Sequence, residues 1–322
     1  MTNDLYLELK SLPGFVENEP MAKHTNFRIG GVARYYVVAS TKEACIHAIE
    51  VAERAGIAWY VYGGGSNLLV ADKGFDGLMI QVGFRSMEVN GEEIVCDAGV
   101  ITALVARKAA EAGLAGFEWA AGVPGTIGGA IYGNAGCYGG EMKDAIVSVD
   151  AYRLSDRQCV TLTNAECGFG YRESHFKKDR HIIFGCTLRL VPGDAKASLQ
   201  RIDEINAKRK EKQPLGESGA GCMFKNVEFA DVSEIAQLQS EVDVPASMIA
   251  SKTIGAGWLI DHAGLLGRRI GNIEVSPKHG NFLINHGGGT ADEVAQLVSI
   301  CQMEVRNRFG IRLQTEVQFV GW

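Results

Sequence analysis

Ala121-Gly122-Val123-Pro124-Gly125-Thr126-Ile127-Gly128-Gly129-Ala130, continuing to Asn134-Ala135-Gly136, is the stretch on which the fold turns. It is rich in glycine, with mostly small residues between, so little side chain remains to pack a core. Backbone without Cβ atoms comes close to a large flat or phosphorylated ligand, or forms a compact wall between two lobes. A second stretch of this kind, Gly63-Gly64-Gly65-Ser66-Asn67, follows a β run at Ala58–Tyr62. There, convergent N–H groups make a pyrophosphate cradle or a tight strand-to-strand turn. Leu68 breaks the G-x-G-x-x-G pattern, and no Gly-Lys-Ser or Gly-Lys-Thr occurs. Neither a Rossmann site nor a P-loop is therefore supported. Two such loops in adjacent lobes fit one extended ligand, a dinucleotide such as FAD, held outside a Rossmann fold.

Around these loops the elements alternate. Ser40 and Glu43 read as a capping box opening a helix that Gly56 stops. A strand follows the first glycine loop at Leu78–Val82. Met87 to Val95 alternates as strands, and a helix fits Thr102 to Ala112. Strands resume at Ile146 to Leu154 and His181 to Leu190. Residues 195–212 read as a charged helix, Pro214 to Gly221 as a loop, and Ala291 to Arg308 as a helix capped by Thr290 and Glu293. The last strand is expected at Arg312 to Val320. The glycine-rich 121–136 stretch is expected as loop.

Composition narrows the class. The chain has 322 residues, 46% hydrophobic and 22% charged, with 40 Gly and only 7 Pro. That is an ordinary globular composition, not a disordered, collagen-like or linker chain. Lys plus Arg number 32 and Asp plus Glu 38, so the net charge is −6. No nucleic-acid partner and no membrane partner are expected from that balance. No apolar run reaches a membrane span, and Met1-Thr2-Asn3-Asp4 is not the start of a signal peptide. Eight Cys lie at 45, 96, 137, 159, 167, 186, 222 and 301, none in C-x-x-C spacing. No Cys/His cluster has zinc-ligand spacing, so no metal site is expected. The cysteines read as small hydrophobes in a reducing cytoplasm. His286-Gly287-Gly288-Gly289 superficially matches a lipase oxyanion loop, but no G-x-S-x-G elbow exists, which rejects acyl hydrolysis.

Three residues are candidates for chemistry: Arg172 in Gly170-Tyr171-Arg172-Glu173-Ser174, Cys222 in Gly221-Cys222-Met223-Phe224-Lys225-Asn226, and Glu316 in Thr315-Glu316-Val317. Each taken alone reads more readily as an exposed Arg, a buried Cys or a strand-surface Glu, and spacing alone does not bring the three together.

Taken in order, Asn26-Phe27-Arg28-Ile29-Gly30-Gly31, the two glycine stretches, Tyr171-Arg172-Glu173-Ser174, Gly221-Cys222-Met223-Phe224-Lys225-Asn226 and Thr315-Glu316-Val317 resemble the UDP-N-acetylenolpyruvoylglucosamine reductases. These are also called UDP-N-acetylmuramate dehydrogenases and make the muramic acid unit of bacterial peptidoglycan. The resemblance covers about residues 20–320. The short spacing after Tyr171 resembles the shorter class of that family.

The resemblance implies an α+β fold: a two-lobed FAD-binding module of the vanillyl-alcohol-oxidase type and an α+β substrate-binding domain. The lobes are expected at 1–82 and 83–194 and the third domain at 195–322. FAD is implied as cofactor, contacted by Tyr62, Gly63, Gly64, Gly65, Ser66, Asn67, Leu68, Ala121, Gly122, Pro124, Gly125, Gly128, Gly129 and Ala130. NADPH and the UDP-sugar are the implied partners, with the protein a monomer or weak oligomer. NADPH reduces the flavin, and flavin N5 then delivers hydride to the vinyl carbon of the enolpyruvyl ether. The Arg172 fork fits the substrate carboxylate as it becomes enolate-like. Cys222 protonates the neighbouring carbon, and a protonated Glu316 polarises the carboxylate from across the site. The family more often has Ser where Cys222 stands. A thiol ionises near pH 8.5, far below an alcohol, so it is intrinsically the better donor, at the cost of being oxidisable. Lys212, Asn226 and Lys278 match family positions for substrate contact. Tyr171-Arg172 is expected near the flavin, after the strands of the second lobe.

Overall fold

The computed structural model describes residues 3–322 of the chain; Met1 and Thr2, which open the N-terminal run read above, lie outside the described residues. Two compact units form, and neither is continuous in sequence. The first takes Met1–Glu19, Ala33–Gly65 and Phe75–Arg209; the second takes Pro20–Val32, Ser66–Gly74 and Lys210–Trp322.

The first unit contains an α/β layer and an antiparallel layer. In the former, the strands Val16–Pro20, Val32–Ala39, Phe75–Val82 and Ala58–Tyr62 lie in that spatial order. Val32–Ala39 and Ala58–Tyr62 each run parallel to Phe75–Val82. Parallel neighbours need a crossover, and the helix Lys42–Arg54 lies between the two flanking strands in sequence. It buries Cys45, Ala48, Ile49, Val51 and Ala52, one face of a 3.6-residue period. Leu78, Met79 and Ile80 of the central strand are fully buried, as expected of a parallel strand covered on both faces. The helix is not capped by the Ser40–Glu43 box. Its first residue is Lys42, so Thr41 is the N-cap, and its hydroxyl accepts from the Ala44 amide at 3.1 Å. Ser40 stands one residue too early to reach an unsatisfied amide of the first turn. Gly56, with φ 64°, closes the helix as read.

The antiparallel layer has the order Gln158–Thr163, Ile146–Arg153, His181–Arg189, Glu93–Asp97, Met87–Asn90. Its central strand, His181–Arg189, buries every residue from His181 to Cys186. The glycine-rich segment is not loop throughout: Glu118–Gly122 is a 3-10 turn and Ile127–Tyr132 a short helix. The small residues serve packing there. A Cβ on Gly128 would lie 2.8 Å from the Ala98 Cβ, so only glycine lets this helix approach that closely.

The helix Ala195–Lys212 has the expected span and buries Ser198, Ile202 and Ile205. In the second unit, the antiparallel strands Arg269–Ile270, Ile273–Val275 and Leu283–Asn285 share a core with the long helix Ala291–Phe309. That helix carries the expected capping box of Thr290 and Glu293. Its first amides, Ala291 and Asp292, also donate to the Asp72 carboxylate at 2.8 and 2.9 Å, where the helix dipole favours an anion. The final strand is shorter than expected: Gln318–Val320 pairs parallel to Leu68–Val70, and before it Thr315 makes a single bridge to Phe224. The partner is three residues long, so the ladder has nowhere to continue. Glu316 therefore precedes that strand rather than lying on it. Among the described residues, no helix is long and apolar enough to cross a membrane.

Candidate active site

In the first unit, the strand Ala58–Tyr62 delivers Tyr62 to the edge of the first glycine loop. Two stretches some sixty residues apart in sequence meet there. A Cβ on Gly63 would lie 2.2 Å from Thr126 Oγ1, and one on Gly64 would lie 3.3 Å from the Gly125 Cα. The loop is held by a short relay: Tyr36 donates to Gln81 Oε1 at 2.6 Å, and Gln81 Nε2 donates to the Gly63 carbonyl at 3.3 Å. Against this cradle, the Thr126 hydroxyl is buried with no hydrogen-bond partner among the described residues, and the buried Tyr62 phenol faces that of Tyr36. Burial pushes the Tyr62 phenol up, well above its ordinary range, so it stays neutral and able to donate. Buried polar groups are nearly always satisfied, so the orphaned Thr126 hydroxyl beside two glycine loops marks a place built for a polar ligand.

The other expected cofactor residues fall into separate groups. Ala121 and Gly122 are buried in the 3-10 turn, Pro124 is exposed, and Gly128, Gly129 and Ala130 lie in the short helix. Ser66, Asn67 and Leu68 belong to the second unit, where Asn67 Nδ2 donates to the Glu316 carbonyl at 3.1 Å.

Arg172 sits in a turn between Gln158–Thr163 and His181–Arg189, not after the strands of its layer. Its φ is 53°, a left-handed conformation that a non-glycine residue adopts only when its surroundings enforce it. Gly170 and Glu173 bridge across the turn, and Lys177 Nζ donates to the Arg172 carbonyl at 2.6 Å. The guanidinium donates to the Gly136 carbonyl at 2.7 Å and to the Asn134 carbonyl at 3.5 Å, and lies 5.1 Å from the Tyr171 ring centre. The fork is thus aimed by the end of the second glycine stretch. Asn134 completes the lock: it is fully buried, has φ 41°, and its Nδ2 donates to the Gly170 carbonyl at 2.9 Å.

Cys222 and Glu316 belong to the second unit, and its hydrogen bonds bring their segments together. Cys222 bridges to Phe282, and Phe224 to Thr315. The Glu316 amide donates to the Met223 carbonyl at 2.8 Å. Asn281, only 2% exposed, clamps the Cys222 segment: its Oδ1 accepts from the Phe224 amide at 2.9 Å and its Nδ2 donates to the Phe224 carbonyl at 2.8 Å. Cys222 itself is half-buried. Lys278 and the end of the charged helix are also joined, through Lys278 Nζ and the Lys210 carbonyl at 2.5 Å; Lys212 lies two residues further on. Asn226 Oδ1 accepts from the Ala256 amide at 3.1 Å, where the helix Ala256–His262 begins.

Sequence reading passed over Thr126, Asn134 and Asn281 as site residues. A buried Thr or Asn in a loop has no local signature; its partners come from distant segments.

This arrangement has known counterparts. A profile described as UDP-N-acetylenolpyruvoylglucosamine reductase, C-terminal domain, matches residues 213–320, and one described as FAD binding domain matches residues 33–162. A UDP-N-acetylenolpyruvoylglucosamine reductase from Caldicellulosiruptor bescii is 36% identical over all of this chain and 95% of its own length. The chain belongs to the UDP-N-acetylenolpyruvoylglucosamine reductase family. A relative of that name from Chloroflexus aurantiacus is 37% identical, over 94% of this chain and 96% of its own. The crystal structure of the reductase from Thermus caldophilus superposes with a TM-score of 0.76 at 31% identity, covering 95% of this chain and 98% of that one. The chain is an FAD-dependent oxidoreductase of peptidoglycan synthesis, and its fold is the α+β type expected, with an FAD-binding module of the vanillyl-alcohol-oxidase type.

The first unit fits the cofactor. Its orphaned Thr126 hydroxyl, its buried Tyr62 phenol and its two apposed glycine loops are what a bound dinucleotide needs: donors in a dry wall and backbone with no Cβ in the way. Gly63→Ala should therefore lower flavin content. Its methyl group must displace Thr126, and overpacking of this kind costs about 1–3 kcal/mol, which is about 5- to 150-fold in affinity where the cost falls on the flavin-bound form. The check is the flavin-to-protein absorbance ratio after purification, with circular dichroism showing an unchanged fold. Full flavin content in the variant would remove Gly63 from the cradle.

Proposed function

We propose that this chain uses NADPH to reduce the enolpyruvyl ether of UDP-N-acetylglucosamine enolpyruvate to UDP-N-acetylmuramate, with Arg172, Cys222 and Glu316 as its catalytic residues. The bound flavin supplies hydride exchange between nicotinamide and the vinyl carbon. The residues of the chain handle charge and proton. Arg172 takes the substrate carboxylate, whose charge grows as the adjacent carbon becomes enolate-like; the Asn134 and Gly136 carbonyls orient the fork in advance, so little reorganisation remains for the reaction itself. Cys222 gives its proton to the carbon next to the carboxylate, and Glu316, protonated, polarises that carboxylate.

The observation that carries this reading is the junction of the Cys222 and Glu316 segments through Met223, which sets a proton donor and a carboxyl group from distant parts of the chain on adjoining backbone. Lys212 and Lys278 serve the diphosphate as point charges, and Asn226 contacts the sugar nucleotide. The two FAD-binding lobes are assigned to 1–82 and 83–194 and the substrate domain to 195–322, although the compact units place Pro20–Val32 and Ser66–Gly74 with the substrate domain and keep 195–209 with the lobes; the protein is a monomer or weak oligomer. Its compartment is the cytoplasm: the eight cysteines form no disulfide, which fits a reducing environment.

An anaerobic titration tests the function. The yellow protein should bleach with NADPH and regain its colour on addition of the UDP-enolpyruvyl sugar. Bleaching followed by recovery with oxygen alone would assign the chain a different flavin chemistry.

A further inference from the structure

The short stretch that leads from Arg172 into the central strand carries His175, Asp179 and His181. His175 opens the one-turn helix His175–Lys178, Asp179 ends it, and His181 is the first residue of the strand His181–Arg189. Helix periodicity puts residues four apart on one side, and the extended backbone after Asp179 returns His181 to that side. The three side chains converge: one ligand atom from each lies within 4.8 Å of the others. His175 Nε2 is 3.5 Å and His181 Nδ1 3.7 Å from the same carboxylate oxygen, Asp179 Oδ2; His181 Nδ1 also lies 3.4 Å from the Asp179 carbonyl, and it can ligate only in the tautomer that carries its proton on Nε2.

The two distances to the carboxylate discriminate between readings. Charge-assisted hydrogen bonds from imidazole to carboxylate close to about 2.7–2.9 Å. Donors placed around one tetrahedral ion, each at about 2.0–2.1 Å from it, stand about 3.3 Å apart. The observed 3.5 and 3.7 Å lie nearer the second spacing. The polar tip of His181 is held in place, because its side chain is only 1% exposed and its ring meets Phe176 edge-on at 5.8 Å. His175 and Asp179, at 39% and 46%, have room to close the remaining distance. Among the flanking cations, Arg180 lies over the Trp59 ring at 5.0 Å and Lys177 bonds the Arg172 carbonyl, while Arg153 chelates Asp156 and is also near enough to Asp179 to feel its charge.

We infer that His175, Asp179 and His181 form a binding site for a divalent transition-metal ion of the zinc class, with a fourth position for water. Two imidazole nitrogens and one carboxylate oxygen suit zinc, cobalt or nickel and not magnesium or calcium, which prefer all-oxygen sets. The expectation of no metal site rested on Cys/His spacing, and this set needs one carboxylate in place of a third such ligand. An ion here would pin the helix end to the start of the central strand, a few residues from the Arg172 turn.

The test uses the flavin-loaded protein, freed of metal by chelator and dialysed against micromolar zinc chloride, with zinc per chain measured by mass spectrometry. About one zinc per chain should remain, and magnesium should not compete. His175→Gln and Asp179→Asn, both at part-exposed positions outside the catalytic set, should bind zinc at least ~10-fold more weakly, a loss no smaller than that from removing a supporting residue. Zinc should raise the unfolding temperature of the parent protein and leave that of the two variants unchanged. No retained zinc, or equal retention in the variants with the ion held by cysteines, would overturn the site.

Discussion

Cys222→Ala should lower turnover of the enolpyruvyl substrate by about 10²- to 10⁴-fold, the usual contribution of a positioned general acid. Reduction of the flavin by NADPH should proceed at its ordinary rate, because that half-reaction needs no proton from this side chain. Stopped-flow spectroscopy separates the two: bleaching with NADPH stays fast, and recovery of colour with the sugar slows. Solvent isotope exchange at the new carbon–hydrogen bond supplies a second readout. Cys222→Ser should recover part of the loss, since a hydroxyl delivers a proton from the same position, though from a higher pKa. The thiol also predicts a liability. Oxidation to sulfenic acid would stop the sugar half-reaction alone, and a thiol reductant would restore it. Equal turnover in Cys222→Ala and the parent would take Cys222 out of the mechanism.

The second large effect is expected at Arg172. Arg172→Ala should cut kcat by about 10²- to 10³-fold, the range for removing one preorganised group that stabilises developing charge. Arg172→Lys should fall well short of rescue, because an ammonium cannot reproduce the planar fork or both of its bonds to the Asn134 and Gly136 carbonyls. The split between kcat and KM is the informative part. Loss of an arginine that only binds the ground-state carboxylate would raise KM and leave kcat alone; loss of one that stabilises the enolate-like state lowers kcat. A variant with both constants unchanged would sink the assignment. The left-handed backbone at Arg172 makes this loop a poor host for substitution elsewhere, so thermal unfolding should accompany the kinetics.

Much of the architecture was legible residue by residue. The helix Ala291–Phe309 falls where its capping box puts it, and Ala195–Lys212 where its run of charged residues puts it, because both signals are local. Ala58–Tyr62 was readable as a strand for the same reason. The errors have physical causes. Ser40 and Thr41 are both good caps, and only the start of the helix at Lys42 chooses between them. The residues from Arg312 to Val317 have strand-like character, but pairing depends on a partner that is three residues long. The glycine stretch looked like loop because small residues carry little packing signal; its helix exists because Gly128 lets it settle against Ala98.

The candidate site divides in the same way. Cys222, Arg172 and Glu316 were visible as chemistry-bearing residue types in an ordered set of motifs, and the family follows from that order. Their supports were not visible. Asn281 and Asn134 act through hydrogen bonds to segments far away in sequence, and Thr126 matters because a distant glycine stands against it. His175, Asp179 and His181 are close in sequence, yet nothing local says that a helix end and a strand start turn their side chains toward one oxygen. By itself, then, the sequence determined the class of protein, the places of its long helices and the residue types able to do the reaction, because composition, periodicity and motif order are properties of the chain read in line. Only the tertiary structure decided which glycines face each other, which hydroxyl is left without a partner and which asparagines hold the reactive segments, because those depend on atoms that meet only after the chain has folded.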